Sequence, residues 1–229
     1  MAERPIFVPD FEDNRFYFEK NVKFTWFSGY ANSQKQKSIQ SLHNNAKIEF
    51  GLKNILEIST KSESPLGVAL SAFNLFVSTN KVTKIPVEAA YQSSKVFELG
   101  GPYTDLRDKH PYDIKKDHRL RESGNLRYFK FNRTIWELEP KTAFYDWLYI
   151  KALTENSMLA NKLLEFDAFT DIAFNPEFSL NCQARAAAIF VSLKRKKLFN
   201  KSIMIKNNFI KLYNKKSIES NEQLRLFND

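Results

Sequence analysis

The chain is poor in the residues on which several common chemistries depend. Its 229 residues include one cysteine, Cys182, three histidines and six glycines. A lone cysteine excludes an internal disulfide and fits a reducing, cytoplasmic setting. Three scattered histidines and one cysteine leave no set at zinc-ligand spacing, so no metal is expected. No apolar run approaches the roughly 18 residues a membrane span needs. The opening MAERPIFVPDF has no basic stretch leading into an apolar one, so a secretory signal is not expected either. P-loop, GxGxxG, GxSxG and HExxH patterns are all missing, which removes the usual phosphate-cradling, serine-hydrolase and zincin readings. Cys182 sits in an alanine-rich stretch, where a small buried thiol is the better reading than a nucleophile.

Aromatic residues are plentiful. They make up 14% of the chain, with 21 phenylalanines, and 43% of all residues are hydrophobic, enough to bury a sizeable core. The net charge of +9 is concentrated late: Lys194 to Lys216 holds nine basic residues and no acid, so the remainder is about neutral. Such a run either attracts a polyanion or is a solvated lysine-rich tail. With no internal repeat and no earlier shift in composition, we expect one domain over 1–198 and a basic C-terminal extension over 199–229.

The expected fold class is α+β, predominantly helical, with a small sheet formed mainly by N-terminal segments. Short aromatic bursts (Ile6–Val8, Phe16–Phe18, Phe24–Phe27) read as strands, as do Ile48–Phe50 and Asn54–Thr60. Residues 32–46 predict a surface helix. Residues 64–77 read as a loop returning to extended structure, and 126–138 as a hairpin around Asn132-Arg133. The stretch from Ala143 to Leu153 is apolar on nearly every side and predicts a buried helix, in which Asp146 and Lys151 need partners. A loop over FTDIAFNP and helices over Leu180–Leu193 and Ile203–Tyr213 complete the pattern.

One stretch combines polar chemistry with an apolar frame. In KIPVEAAYQSSKVFEL, residues 84–99, a helix is predicted from Val87 to a stop at Gly100-Gly101. Glu88, Gln92 and Lys95 then fall at i, i+4 and i+7 and share one face. Spacing alone leaves two readings open, a solvated stripe or the wall of a pocket.

That E-x3-Q-x2-K pattern, preceded by SAFNLF, resembles the NADAR superfamily, whose YbiA-type members carry an equivalent glutamate-to-lysine helix. EPKTAFYDWLYIKAL and FTDIAFNP…NCQARAAAI resemble the branch encoded beside DarT-type guanine ADP-ribosyltransferase toxins. The likeness runs from about Arg4 to Leu193. It implies a mostly helical domain that removes ADP-ribose from guanine in DNA, RNA or nucleotide, without a cofactor. Its product would be ADP-ribose and its partner a DarT-type toxin. Two alternatives stand beside it: a YbiA-like N-glycosidase of riboflavin intermediates, and an antitoxin that binds toxin or nucleic acid without turnover.

On the hydrolase reading the catalytic residues are Glu88, Lys95 and Asp171. Glu88 is first choice for proton transfer. Lys95 either stabilises charge on the ribose oxygens or attacks the ring-opened imine. Asp171, where the family pattern has an acid, binds ribose hydroxyls or shares the proton transfer. Ser71, Asn74, Tyr91, Gln92, Trp147, Asn181 and Arg185 are the expected ligand-binding residues, with Arg185 forking onto the diphosphate and Trp147 stacking on a base. This chain has Ser71-Ala72-Phe73 where YbiA-type members have Ser-Asn-Phe.

Overall fold

The computed structural model describes residues 1–12, 15–80 and 83–214. The chain opens with an antiparallel hairpin, β1 (Ala2–Pro9) and β2 (Tyr17–Phe24), followed by the long helix α1 (Asn32–Phe50). Gly51 ends that helix in the left-handed region at φ 66°, its N–H bonding the Lys47 carbonyl. Ile48–Phe50 is therefore the last turn of a helix, not the strand its alternation suggested.

Next come β3 (Ile55–Glu57), the short helix α2 (Pro65–Ala69), and the strands β4 (Phe76–Ser78) and β5 (Lys84–Pro86), paired antiparallel. Helix α3 (Val87–Ser93) leads into β6 (Lys95–Phe97). Two single-turn helices, α4 (Pro111–Ile114) and α5 (Arg119–Glu122), precede the hairpin β7 (Leu126–Phe131) and β8 (Thr134–Trp136). The second half holds α6 (Ala143–Glu155), α7 (Ser157–Lys162), β9 (Ala168–Thr170), α8 (Gln183–Arg195) and α9 (206–214). The fold is α+β, and β1, β2 and β3 supply three strands of its largest sheet.

That sheet has the order β2-β1-β9-β3, with β9 parallel to β3 and antiparallel to β1. Its middle is buried on both faces, as successive side chains of β1 show, while the edge strand β2 leaves Glu19, Asn21 and Lys23 exposed. Ile6 joins Val22 and Phe24 against Ile39, Leu42 and Ala46 of α1. Phe7 points the other way, with Leu56 and Phe169, into the main core beneath α6 and α8. β9 overlaps the start of the expected FTDIAFNP loop, and its three residues are too few to display a period.

Helices α6 and α8 form the centre of that core. Ala184, Ala186, Ala187 and Ala188 are all buried, and their small side chains let α8 approach closely. Between the helices Arg185 donates to Asp146 at 3.2 Å. The Asp146 carboxylate also accepts from Thr142 at 3.0 Å and from Tyr213 at 2.9 Å. Enclosing such a pair is costly unless its remaining valences are satisfied; these hydroxyls satisfy the carboxylate, while Arg185 Nε has no hydrogen-bond partner among the described residues.

The segment after residue 198 packs on the same body. Ile203 and Phe209 lie in the main core, and the Trp147 indole donates to the Met204 carbonyl at 2.8 Å. Several cations of the basic run are tied down as well: Lys206 bonds the Ile135 carbonyl and pairs with Glu137, and Lys196 lies 3.7 Å from Asp10. The last part of the expected extension, 215–229, lies outside the described residues.

Candidate active site

The parallel strands β3 and β9 end at the same edge of the sheet, and a cavity of about 330 Å³ opens there. Its floor comes from the residues just beyond those strands, Ser59, Thr60, Asp171 and Ala173. Crevices at the carboxyl ends of parallel strands are common ligand sites in α/β sheets. The other walls come from the turn after α2, from α3, and from the start of α8.

The turn 71–75 is pinned to α3 by its backbone. Glu88 N–H donates to the Ala72 carbonyl at 2.9 Å and Val87 N–H to that of Leu75 at 2.9 Å. Ser71 is thereby held on the cavity wall, 1% exposed, with its hydroxyl lacking a hydrogen-bond partner among the described residues. A hydroxyl on a cavity wall can donate to or accept from a group placed there.

Glu88 and Gln92 face the cavity together, Gln92 donating to the Glu88 carboxylate at 2.9 Å. Lys115, from the loop after α4, reaches over the Phe73 ring and stands 3.5 Å from Glu88. On the opposite wall Asn181 donates to the Tyr91 hydroxyl at 2.7 Å, and burial drives that phenol upward.

Asp171 is the most perturbed carboxyl open to the cavity. Burial, with the neighbouring Glu57 second, raises it to about 7, against the opposing bonds from Ala173 N–H at 3.1 Å and Gln183 at 3.0 Å. Glu57 is 2% exposed behind it, itself pushed up by burial. It accepts from Thr170 Oγ1 at 2.6 Å and from Ile172 N–H at 2.9 Å. Because the Thr170 proton goes to Glu57, His43 Nε2, 2.8 Å from Thr170 Oγ1, must be the donor of that pair. Burial, then Lys47, lowers His43 to about 4, so it is neutral there. Gly67 allows α2 to lie against this strand: a Cβ there would meet the Glu57 carbonyl at 2.0 Å.

A profile described as the DarT1-associated NADAR antitoxin matches residues 2–223 of this chain. The chain belongs to that family. No curated protein matches the chain. The family is named for its association with the DarT1 toxin.

In this NADAR antitoxin the cavity brings together six of the residues expected from sequence: Ser71, Glu88, Tyr91, Gln92, Asp171 and Asn181. The predicted helical stripe is shorter than expected. Ser93 and Ser94 bond back to the Ala90 carbonyl at 3.3 and 2.6 Å, competing with the helical ladder. Lys130 N–H then takes the Ser94 carbonyl at 2.7 Å, and the chain joins β7. Lys95 is thus the first residue of a strand, not the i+7 position of a helix. Its amine lies 5.1 Å from the centre of the Tyr91 ring, outside the cavity lining. Burial lowers that amine's pKa, Glu88 opposes the shift and Lys115 adds to it.

Three expected ligand contacts lie elsewhere. Asn74 is exposed and donates to the Val68 carbonyl at 2.9 Å. Trp147 packs edge-on to Phe131 and against Trp136 in the core. Arg185 is committed to Asp146 and to the Leu180 carbonyl at 2.7 Å. Conversely, Lys115 and Gln183 line the cavity and Glu57 lies behind Asp171, though none of the three was an expected site residue. Nothing separates Lys115 from its neighbour Lys116 in sequence. Glu57, an acid between Leu56 and Ile58 in a strand, was the more readable signal. Among the described residues no cluster of metal-ligating side chains occurs, and no helix is long and apolar enough to cross a membrane.

Proposed function

We propose that this chain is a hydrolase that releases ADP-ribose from guanine in nucleic acid, and that this activity makes it an antitoxin to a DarT-type transferase. The observation that carries the reading is the pairing of two carboxyls, Glu88 and Asp171, on one cavity, with Asp171 held near neutrality. Hydrolysis of an N-glycosidic bond needs a proton for the leaving amine and a base for the incoming water. Asp171 gives its proton to the exocyclic amine of guanine as the bond to ribose C1 breaks, the bonding pair staying on nitrogen. Water adds to C1, and Glu88 takes its proton. The Lys115 and Gln92 contacts hold the Glu88 carboxylate in place for that step. The Ser71 hydroxyl and the Asn181 amide are positioned for ribose or phosphate oxygens.

Lys95 lies outside the cavity lining, so either role, charge stabilisation or attack on a ring-opened imine, requires its amine, shifted toward the neutral form, to swing in past Tyr91. Borohydride trapping of a protein adduct assigns the covalent role. Unimpaired Lys95→Ala removes both.

The deciding experiment incubates the purified full chain with ADP-ribosylated single-stranded DNA and follows ADP-ribose by chromatography. Asp171→Asn and Glu88→Gln should each slow release by about 10²–10⁴-fold, the usual worth of general acid–base groups. Tight binding of the modified DNA with no release would replace the hydrolase by a sequestering antitoxin.

A further inference from the structure

Positive charge is spread unevenly over the surface outside the cavity. From Lys20 to Lys61 seven lysines meet two acids, and one of these, Glu57, is enclosed; Glu19 and Glu63 border the run. In the second half of the chain cations are paired: Lys109, Arg119, Arg127 and Lys206 each sit on a carboxylate. On β1, β2 and α1 the cationic heads lie over rings instead. Lys35 stands 4.2 Å and Arg4 5.9 Å from the centre of the Trp26 indole, and Lys20 stands 4.4 Å from that of Phe50. None of these three cations is paired with a carboxylate among the described residues.

Aromatic side chains gather where β2 runs out. Trp26 is half-buried, Phe27 is 36% exposed and Tyr30 is fully exposed. The backbone that carries them is held along α1. Ser41 Oγ accepts the Thr25 N–H at 3.0 Å, Ser38 Oγ accepts the Phe27 N–H at 2.9 Å, and Asn45 donates to the Lys23 carbonyl at 2.7 Å. This edge leads to the cavity. Thr60 lines the cavity, and the next residue, Lys61, donates from its amine to Asn32 Oδ1 at 2.9 Å, at the start of α1 and two residues beyond Tyr30.

We propose that this face, from Lys61 past Tyr30 and Trp26 to Lys23, is a docking surface for single-stranded nucleic acid, held by backbone and bases outside the cavity whether or not the strand is modified. Cations without carboxylate partners attract phosphates through counterion release, and exposed rings stack on unpaired bases. A duplex offers its phosphates but keeps its base faces covered, so the rings select the single strand. In the hydrolase reading the same strand carries the modified nucleotide to the cavity, and that role of the surface rests on that reading. A free nucleotide in the cavity forgoes these contacts.

Fluorescence anisotropy of the full chain with a labelled, unmodified thymidylate oligonucleotide, alone and annealed to its complement, tests this without turnover. The single strand should bind at least tenfold more tightly than the duplex at the same salt. Tyr30→Ala, at a fully exposed position, should weaken it about fivefold or more, the low end for one base–ring stack. Lys23→Gln with Lys35→Gln should flatten the slope of log Kd against log salt by about 1.4, the share of two single-strand phosphates. Trp136 and Trp147 are buried, so quenching of tryptophan emission by the oligonucleotide should disappear in Trp26→Phe. Equal affinity for the duplex, equal affinity for polyglutamate, or binding unmoved by both Tyr30→Ala and the lysine pair would overturn the proposal. With ADP-ribosylated single-stranded DNA, Tyr30→Ala should raise KM about fivefold or more and leave kcat unchanged. Strand binding that responds to the variants without ADP-ribose release keeps the surface and discards the hydrolase. Release with KM unmoved by the variants discards the surface and keeps the hydrolase.

Discussion

Gln183 donates from its side-chain amide to the Asp171 carboxylate at 3.0 Å, and its amide oxygen accepts the Ala72 N–H at 2.6 Å. The same NH2 group also reaches the Ile58 carbonyl at 2.6 Å. One side chain at the start of α8 thus joins the end of β3, the turn after α2 and the acid beyond β9. These are the pieces whose relative placement defines the cavity.

Gln183→Leu should cost both stability and activity. It strands a buried N–H and a buried carbonyl, a penalty of about 1–3 kcal/mol for each unsatisfied group. Urea unfolding measures that loss. Turnover normalised to folded protein should fall as well, because Ser71 and Asp171 lose a common anchor.

The raised Asp171 ties stability to pH in a definite direction. Between its ordinary value of 3.8 and about 7, the folded protein keeps a proton that the unfolded chain has released. Its contribution to stability therefore falls as pH rises through that window. Asp171→Asn removes the penalty and should be more stable than the parent at pH 8, on the order of 1–3 kcal/mol, while losing activity. Unfolding midpoints at pH 5 and pH 8 should converge at the lower value. A variant less stable at both would refute the strained-acid picture.

As general acid, Asp171 must be protonated, so hydrolysis should decline above about pH 7. Glu57→Gln keeps the shape and the acceptor for Ile172 N–H, turns an NH2 toward the Thr170 hydroxyl, which can accept it, and removes a neighbouring negative charge. The descending limb of the rate profile should move to lower pH, by about one unit or more. An unmoved limb would show that Glu57 serves the fold alone.

His43 contributes the opposite slope. Its folded value near 4 lies below the ordinary 6.5, so between those values the unfolded chain binds a proton that the folded one does not. Stability is lost as pH falls through this window. His43→Gln retains an N–H for Thr170 and cannot titrate, and the acid-side loss should flatten in urea titrations at pH 4.5 and 7.

Arg185 was expected on the diphosphate and is instead half of a buried pair. Arg185→Met leaves Asp146 enclosed without its cation, which should cost about 3–5 kcal/mol. The molecules that remain folded should hydrolyse with unchanged KM. A stable variant with a raised KM would return Arg185 to the ligand.

The α+β class, the buried α6 and the polar residues of α3 were legible from sequence because each rests on local rules. A helix apolar all round must be enclosed, and Glu88 and Gln92, four apart, must share a face whatever surrounds them. The family resemblance added Asp171 and Asn181 through residues in order along the chain. What local pattern could not decide was which polar group meets which. Lys95 left the helical stripe because two serines and a β7 partner captured the chain after Ser93. Arg185 and Trp147 carry side chains suited to a ligand, yet α6, α8 and the segment around Met204 closed over them. Glu57 acts on Asp171 across 114 residues of sequence, a relation created only when β9 inserts beside β3. Sequence determined the elements and the chemical inventory. The long-range pairing of strands, with desolvation of the groups trapped between them, decided which of those groups form the site.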